Sequence, residues 1–205
     1  PIKTNMIQKI NRLAAETIHG AIIHFVADGD TIERDGESVT VDGTTMPTLE
    51  EALALGKCLG QIYQWKWGVT YKTLTRKGVY PPTQRHTTRD SKILQGVKPT
   101  FATQDMNLEA LALEYGLKAL PAKGERVVPF TNASGCLPGW LFIQVVDSYR
   151  TAGTDGNIIN VRLRGELSLQ DGGSDNVDDL KDVPYEFPIT DFAACEFENV
   201  GIDVA

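Results

Sequence analysis

With 205 residues, 41% of them hydrophobic, the chain can bury a core of its own, and its length points to one domain spanning residues 1–205. Its formal net charge of −7 argues against tight binding of duplex DNA, whose phosphates are held by an excess of Lys and Arg, and leaves DNA only as a transient cargo. No run of about 18 apolar residues is present to cross a membrane, and Pro1-Ile2-Lys3-Thr4-Asn5 lacks the apolar core of a secretory leader, so a soluble protein made in a cytoplasm is expected.

In chain order, a first strand is expected at Ala21 to Ala27, followed by the turn Asp28-Gly29-Asp30, and a second at Ser38 to Val41 before Asp42-Gly43. Asp-Gly pairs supply the positive φ that tight hairpins need. Thr48 to Lys57 reads as a short helix, because Thr48-Leu49-Glu50-Glu51 is a capping box in which hydroxyl and carboxylate satisfy free backbone donors reciprocally. Tyr63 to Tyr71 alternates with period two: Tyr63, Trp65, Trp67, Val69 and Tyr71 on one face, Gln64, Lys66, Gly68 and Thr70 on the other. The prolines in Tyr80-Pro81-Pro82-Thr83 cannot continue a sheet, so a projecting loop is expected from Arg76 to Lys92.

A short strand at Thr100 to Gln104 precedes a second helix that begins at Asn107 and stops at Gly116. Its Leu108, Leu111, Ala112 and Tyr115 fall at i, i+3, i+4 and i+7, an apolar face expected to pack on the sheet. After a strand at Gly139 to Tyr149 comes the longest alternation, Ile159 to Gln170. There Ile159, Val161, Leu163, Gly165, Leu167 and Leu169 oppose Asn160, Arg162, Arg164, Glu166, Ser168 and Gln170. Twelve such residues would span about 40 Å, and so long a strand either covers its own core and continues past it or belongs to a large sheet assembled from several chains. Asp171 to Val183 is a polar, acidic loop expected to order on contact with a partner. Strands at Pro184 to Thr190 and Ala194 to Val200 close the chain.

Charge is segregated along this order. Lys66 to Lys98 holds eight basic residues against the single acid Asp90, whereas Asp171 to Ala205 holds ten acids against the single base Lys181. Opposite poles on one chain allow a heterologous contact between copies, which closes into rings or propagates into filaments. The expected contact residues are Tyr80, Arg85, Arg89 and Lys92 on the basic side and Asp175, Asp178, Asp179 and Asp182 on the acidic side. Arg85 and Arg89 are the expected anchors, since a planar guanidinium pairs bidentately with carboxylate.

Catalytic patterns are missing from the sequence. His19, His24 and His86 sit in no recognisable constellation, and His19 and His24 are spaced to opposite faces of a strand. Cys58, Cys136 and Cys195 are odd in number and far apart, which fits buried reduced thiols better than a disulfide framework or a zinc site. Ser134 lacks the frame of a nucleophile elbow, no phosphate-binding glycine motif is present, and the acids after Gln170 do not follow calcium-loop spacing. Neither enzyme activity nor a cofactor is expected. The rival of a different class is a carbohydrate-binding or hydrolase β-domain using Trp65, Trp67 or Trp140 as a sugar platform.

The order of parts resembles the bacteriophage tail tube (major tail protein) family. The residues that carry the resemblance are the N-terminal strand and hairpin, the strand through Trp65-Lys66-Trp67-Gly68-Val69-Thr70-Tyr71, and the projecting loop Arg76 to Lys92. With them go the strand and helix of Phe101 to Gly116, Val161 to Leu169, and Val183-Pro184-Tyr185-Glu186-Phe187-Pro188-Ile189. The resemblance implies a mainly β fold, a β-sandwich or barrel with one or two short flanking helices and a long loop reaching a neighbouring subunit or ring. It also implies self-assembly into stacked, hexameric rings, a predominantly acidic channel for DNA during ejection, and other tail proteins (terminator, baseplate or sheath) as partners. The implied place is the virion tail, assembled in a host cytoplasm. A related ring- or tube-forming component of a tail or injection system is the nearest alternative. Arg162 and Arg164 fit a channel-lining strand poorly unless acids offset them or that face looks elsewhere.

Overall fold

A computed structural model describes residues 20–77, 88–103, 107–146, 157–170 and 183–200. Their elements are β1 (Gly20–Ala27), β2 (Thr31–Arg34), β3 (Glu37–Thr40), α1 (Leu49–Ala54), β4 (Cys58–Lys77), β5 (Thr88–Thr103), α2 (Leu108–Glu114), β6 (Cys136–Val146), β7 (Asn157–Leu169), β8 (Val183–Glu186) and β9 (Ile189–Asn199). The fold is mainly β, as expected. Seven strands form one antiparallel sheet in the order β6-β1-β4-β5-β8-β7-β9, and a further β6–β7 ladder curls it back on itself. No helix among the described residues is long and apolar enough to cross a membrane.

Period-two alternation explains the main core. Ile23 and Phe25 of β1, Leu141 and Ile143 of β6, Leu163 and Leu167 of β7 and Tyr185 of β8 point inward together. Gly139 and Gly165 face each other across β6 and β7. A Cβ on Gly139 would lie 2.7 Å from the Phe25 ring, and one on Gly165 would lie 2.6 Å from the Phe187 ring. The two glycines therefore make room for an edge-to-face pair between those phenylalanines, 6.4 Å apart.

A second, smaller core lies on the opposite face of β1 and β6, where the β2–β3 hairpin and α1 cover Val26, Trp140 and Phe142 with Ile32, Val41 and Ala52. The hairpin turns at Asp35-Gly36, whose φ values of 55° and 83° are both positive. The turns expected at Asp28-Gly29-Asp30 and Asp42-Gly43 flank this pair, and β2 is not among the expected strands. The capping box at α1 is present: Glu51 N donates to Thr48 Oγ1 at 3.2 Å, and Thr48 N donates to Glu51 Oε2 at 2.7 Å.

His24 is buried on β1 with its Nδ1 unpartnered. Burial, opposed by a hydrogen bond with Gln144, pushes its pKa below 6.5. Above pH 6.5 the ring is neutral in both states and its protonation takes nothing from stability; below it the unfolded chain takes up the proton more readily than the folded one, so stability falls. The stability difference between wild type and His24→Phe should therefore widen in the variant's favour as pH drops below 6.5, read from urea midpoints. A constant difference would refute this.

Three expectations are corrected. Residues 76–77 and 88–92, expected in the projecting loop, are strand: Arg76 lies opposite Arg89 and Thr73 opposite Lys92. None of the three cysteines is fully buried, Cys58 being exposed and Cys136 and Cys195 half-buried. The face of α2 that joins the sheet core carries Ala110 and Leu113 rather than the expected stripe, of which Ala112 is buried while Leu108 and Tyr115 are exposed.

Candidate assembly surface

The strand pair β4–β5 outgrows the body that it starts in. β1 pairs with β4 only as far as Ile62, and β8 pairs with β5 only at Thr100 to Thr103. Beyond Trp67 and Pro99 the two strands continue as a two-stranded ribbon to Lys77 and Thr88, with no strand paired to either outer edge among the described residues. Ten residues of strand, Gly68 to Lys77, reach about 33 Å.

Cross-strand register sorts its side chains. Trp67 lies opposite Pro99, Val69 opposite Val97 and Tyr71 opposite Leu94, which makes one face apolar. The other carries Lys66, Lys72 and Lys98, interspersed with Leu74 and Ile93. Trp67, Val69, Tyr71 and Leu94 are each between 42% and 54% exposed, far more than a sheet face with a cover would be. The register skips Gln95 between Gly96 and Leu94, a bulge that raises the local twist.

The base of the ribbon is braced. Trp67 meets Trp65 edge-on at 4.8 Å, Trp65 stacks on Phe101 at 5.8 Å, and Phe101 stacks on Tyr185 at 5.1 Å, a ladder of rings from solvent to core. Asn107, the N-cap of α2, donates through Nδ2 to the Tyr185 hydroxyl at 2.9 Å and to Leu59 O at 3.1 Å. Its Oδ1 accepts from Ala110 N at 2.7 Å. Burial holds the Tyr185 phenol at a pKa of about 12, so it stays a neutral hydrogen-bonding group and α2 remains tied to the ribbon's base.

The acidic pole is β9. It pairs with β7 on one side and is open on the other among the described residues. Asp191, Glu196 and Glu198 stand along it beside the exposed Phe192 and Phe197. Glu196 pairs with Arg162 at 2.6 Å, and Glu198 accepts from Asn160 at 2.9 Å. Arg164 makes a bidentate pair with Asp28, at 2.7 and 2.6 Å, beneath the Trp140 ring. Both β7 arginines are thus offset by acids within the subunit, and the polar face of β7 is partly covered by them.

Of the residues read from sequence as contacts, Lys92 is exposed on the ribbon and Arg89 is placed by its backbone on β5. Tyr80, Arg85, Asp175, Asp178, Asp179 and Asp182 lie outside the described residues. What the sequence reading missed is the ribbon's second strand, although Ile93, Leu94 and Val97 were an available signal. Trp140 is buried at 1% exposure, with its Nε1 donating to Asp42 O at 3.2 Å, so it offers no sugar platform. Trp65 and Trp67 stand edge-on rather than coplanar. A polar cleft of about 700 Å³ beside the base is lined by Lys98, Ser134, Cys136, Glu166, Ser168 and Glu186. Its charges are engaged, Lys98 with Glu186 at 2.6 Å and Glu166 with the Cys136 thiol at 3.3 Å. Among the described residues no three His, Cys, Asp or Glu side chains gather as metal ligands would.

No protein-family model matches the chain, and no curated protein matches it. Among solved structures, it is similar to a chain of the sheath–tube complex of an extracellular contractile injection system (PVC) in its extended state. The identity is 8% and the TM-score 0.41, over 93% of this chain and 97% of that one. It is similar to a chain of the baseplate of the anti-feeding prophage (AFP), with 7% identity and a TM-score of 0.40 over 91% and 97%. A third similar chain comes from the AFP tube-terminating cap, with 10% identity and a TM-score of 0.35 over 81% and 98%.

Proposed function

We propose that this chain is a structural component of a phage-tail-like machine whose copies join through the β4–β5 ribbon into rings that stack as a tube. The observation that carries the reading is the ribbon itself: about 33 Å of two-stranded sheet whose edges, and whose apolar stretch from Trp67 to Tyr71, have no cover among the described residues, braced at its base by packed rings. Such a surface is an aggregation hazard in a monomer and an interface in an assembly. The lysine-bearing face meets the acidic β9 side of another copy, where Asp191, Glu196 and Glu198 stand. Arg85 and Arg89 meet the acids Asp175, Asp178, Asp179 and Asp182 in the same contact. The contact is heterologous, so it closes into a ring when the rotation permits, as a hexamer in the tail-tube reading.

In this reading the tube is a conduit, and the excess of acid over base keeps passing DNA from sticking to its wall. Terminator, baseplate or sheath proteins cap and surround it, and the chain's place is the tail. The test is negative-stain electron microscopy of the purified protein over a range of salt and protein concentrations. Rings or hollow tubes of one diameter are the expected result, weakening at high salt as surface charges are screened. A compact monomer under every condition would overturn the reading.

A further inference from the structure

The core face of the sheet is uncovered at one corner. Cross-strand register sets Ile23, Ile143, Val161 and Phe197 side by side across β1, β6, β7 and β9, so the four side chains share one face. Their exposures run 0%, 3%, 9% and 66%. The next row, toward the start of β1, repeats the trend: Ile62 and Ala21 are buried, whereas Val145 and Ile159 are only half-buried. Apolar cover is therefore missing among the described residues at this end of β6, β7 and β9. Glu196 and Glu198 alternate with Phe197 and point to the opposite face, so the acidic side of β9 is separate from this corner.

The residues that enter this corner carry the matching pattern. β1 starts at Gly20, which lies opposite Val146, one position from Val145. Gly20 has a φ of 153°, and a Cβ there would come within 3.1 Å of Ile62 O, so glycine lets the chain turn sharply as it enters the sheet. Before it, Asn5-Met6-Ile7-Gln8 has the spacing of a helix start, in which an N-cap side chain is answered by an amide three residues on. From Met6 the apolar residues Ile7, Ile10, Leu13, Ala14 and Ile18 fall at i+1, i+4, i+7, i+8 and i+12. On a helix these share one arc of about 140°, and Gln8, Lys9, Asn11, Arg12 and Glu16 fill the opposite side. A helix from Met6 to Ile18 would be about 20 Å long, enough to cross the roughly 14 Å of three strand spacings from β1 to β9. The other segments that reach this corner match it less well: Asp147 to Gly156 holds only Tyr149 and Ala152 as apolar residues, and Gly201 to Ala205 is too short to cross it.

We infer that residues 6–18 form an amphipathic helix whose apolar arc packs on the Val145, Ile159 and Phe197 corner of the same chain. The tether selects this surface over the ribbon. Val145 lies opposite Ala21, beside the point where the segment joins the sheet, whereas Trp67 stands about 16 Å further along β4 than Ile62. So short a link gives the helix a high effective concentration at the corner. Its polar side suits packing on protein better than on a lipid surface, since Glu16 partly balances Lys9 and Arg12 and no Trp or Phe lies on the apolar arc. The contact is made within one copy, so it goes beyond the self-assembly reading and holds whether or not copies join.

The experiment places p-benzoylphenylalanine at the exposed position 197 of the full chain and irradiates it. The expected product runs at monomer size on a denaturing gel, and its joined peptides pair position 197 with residues 6–18. Leu13→Asp, within the apolar arc, should lower the yield of that cross-link at least fivefold, while Arg12→Gln, on the polar side, should leave it unchanged. Cross-links to other regions, a joined peptide found only in a dimer band, or equal yields from the two variants would overturn the inference and leave the self-assembly reading untouched. Loss of the cross-link on adding phosphatidylglycerol vesicles that carry the protein with them on flotation would also overturn it, and would assign the arc to a lipid surface.

Discussion

Joining Thr70 to Gly96 through an Asn-Gly turn, with residues 71–95 removed, is expected to give a folded protein that no longer assembles. Thr70 and Gly96 lie directly opposite in β4 and β5, so a two-residue turn closes the shortened hairpin without changing register. The deleted side chains whose burial is described are exposed or nearly so, and the buried members of both cores are retained. Little burial is therefore lost, and the thermal midpoint should stay within about 4 °C of wild type, the shift that about 1 kcal/mol makes in a domain of this size. Assembly should be abolished, because the outer part of the ribbon goes, with Tyr71 and Leu94 of its apolar face and the basic residues Lys72, Arg76, Lys77, Arg85, Arg89 and Lys92, and only a stub bearing Trp67, Val69 and Val97 is left. Light scattering coupled to gel filtration would report a monomer at concentrations where the parent forms rings. Persistence of rings in the shortened chain would show that the ribbon is not the joining element.

The largest effect on stability is expected from Arg164→Ala. Arg164 is 11% exposed and Asp28 is 25% exposed at the side chain, so their bidentate pair is largely withdrawn from water. Removing the guanidinium strands the Asp28 carboxylate in that setting and strips a cation from the Trp140 ring, 5.3 Å away. A cost of about 3 kcal/mol follows, near the lower end for breaking a buried pair, with a fall in thermal midpoint of about 6–12 °C. Arg164→Lys keeps the charge without the planar fork and should fall between the two. Arg162→Ala is the contrast: its partner Glu196 is 60% exposed, so the pair is worth less than about 1 kcal/mol. Equal effects at the two arginines, measured by urea unfolding, would show that burial of the Asp28 pair does not govern stability here.

Several elements were legible in the residues because they depend on neighbours a few positions apart. The capping box at Thr48 and Glu51 and the start of α2 at Asn107 need only local geometry, and both are present, Asn107 serving as the N-cap. The alternation from Ile159 to Gln170 became β7, with Val161, Leu163 and Leu167 buried as the period requires. The ribbon's outgoing strand was visible from Trp65 to Tyr71. Its return strand was not, because Arg89 to Lys98 alternates poorly around the bulge at Gln95 and borrows its regularity from pairing with β4. A strand without its own period takes its conformation from its partner.

Composition, period-two patterning and the two charge poles thus determined by themselves that this is a mainly β chain with a basic segment and an acidic one. Those properties are sums or short-range repeats, so one strand of text carries them. Only the tertiary structure decided which faces meet. The Leu108 and Tyr115 stripe of α2 reads as the buried side, but Ala110 and Leu113 join the sheet core, and of that stripe Ala112 is buried while Leu108 and Tyr115 stay exposed. Arg164 found Asp28 across 136 residues of chain, and the β4–β5 pair ran on past the last strand able to cover it. Contacts of that separation depend on how the whole sheet curls, and no local period encodes that curl.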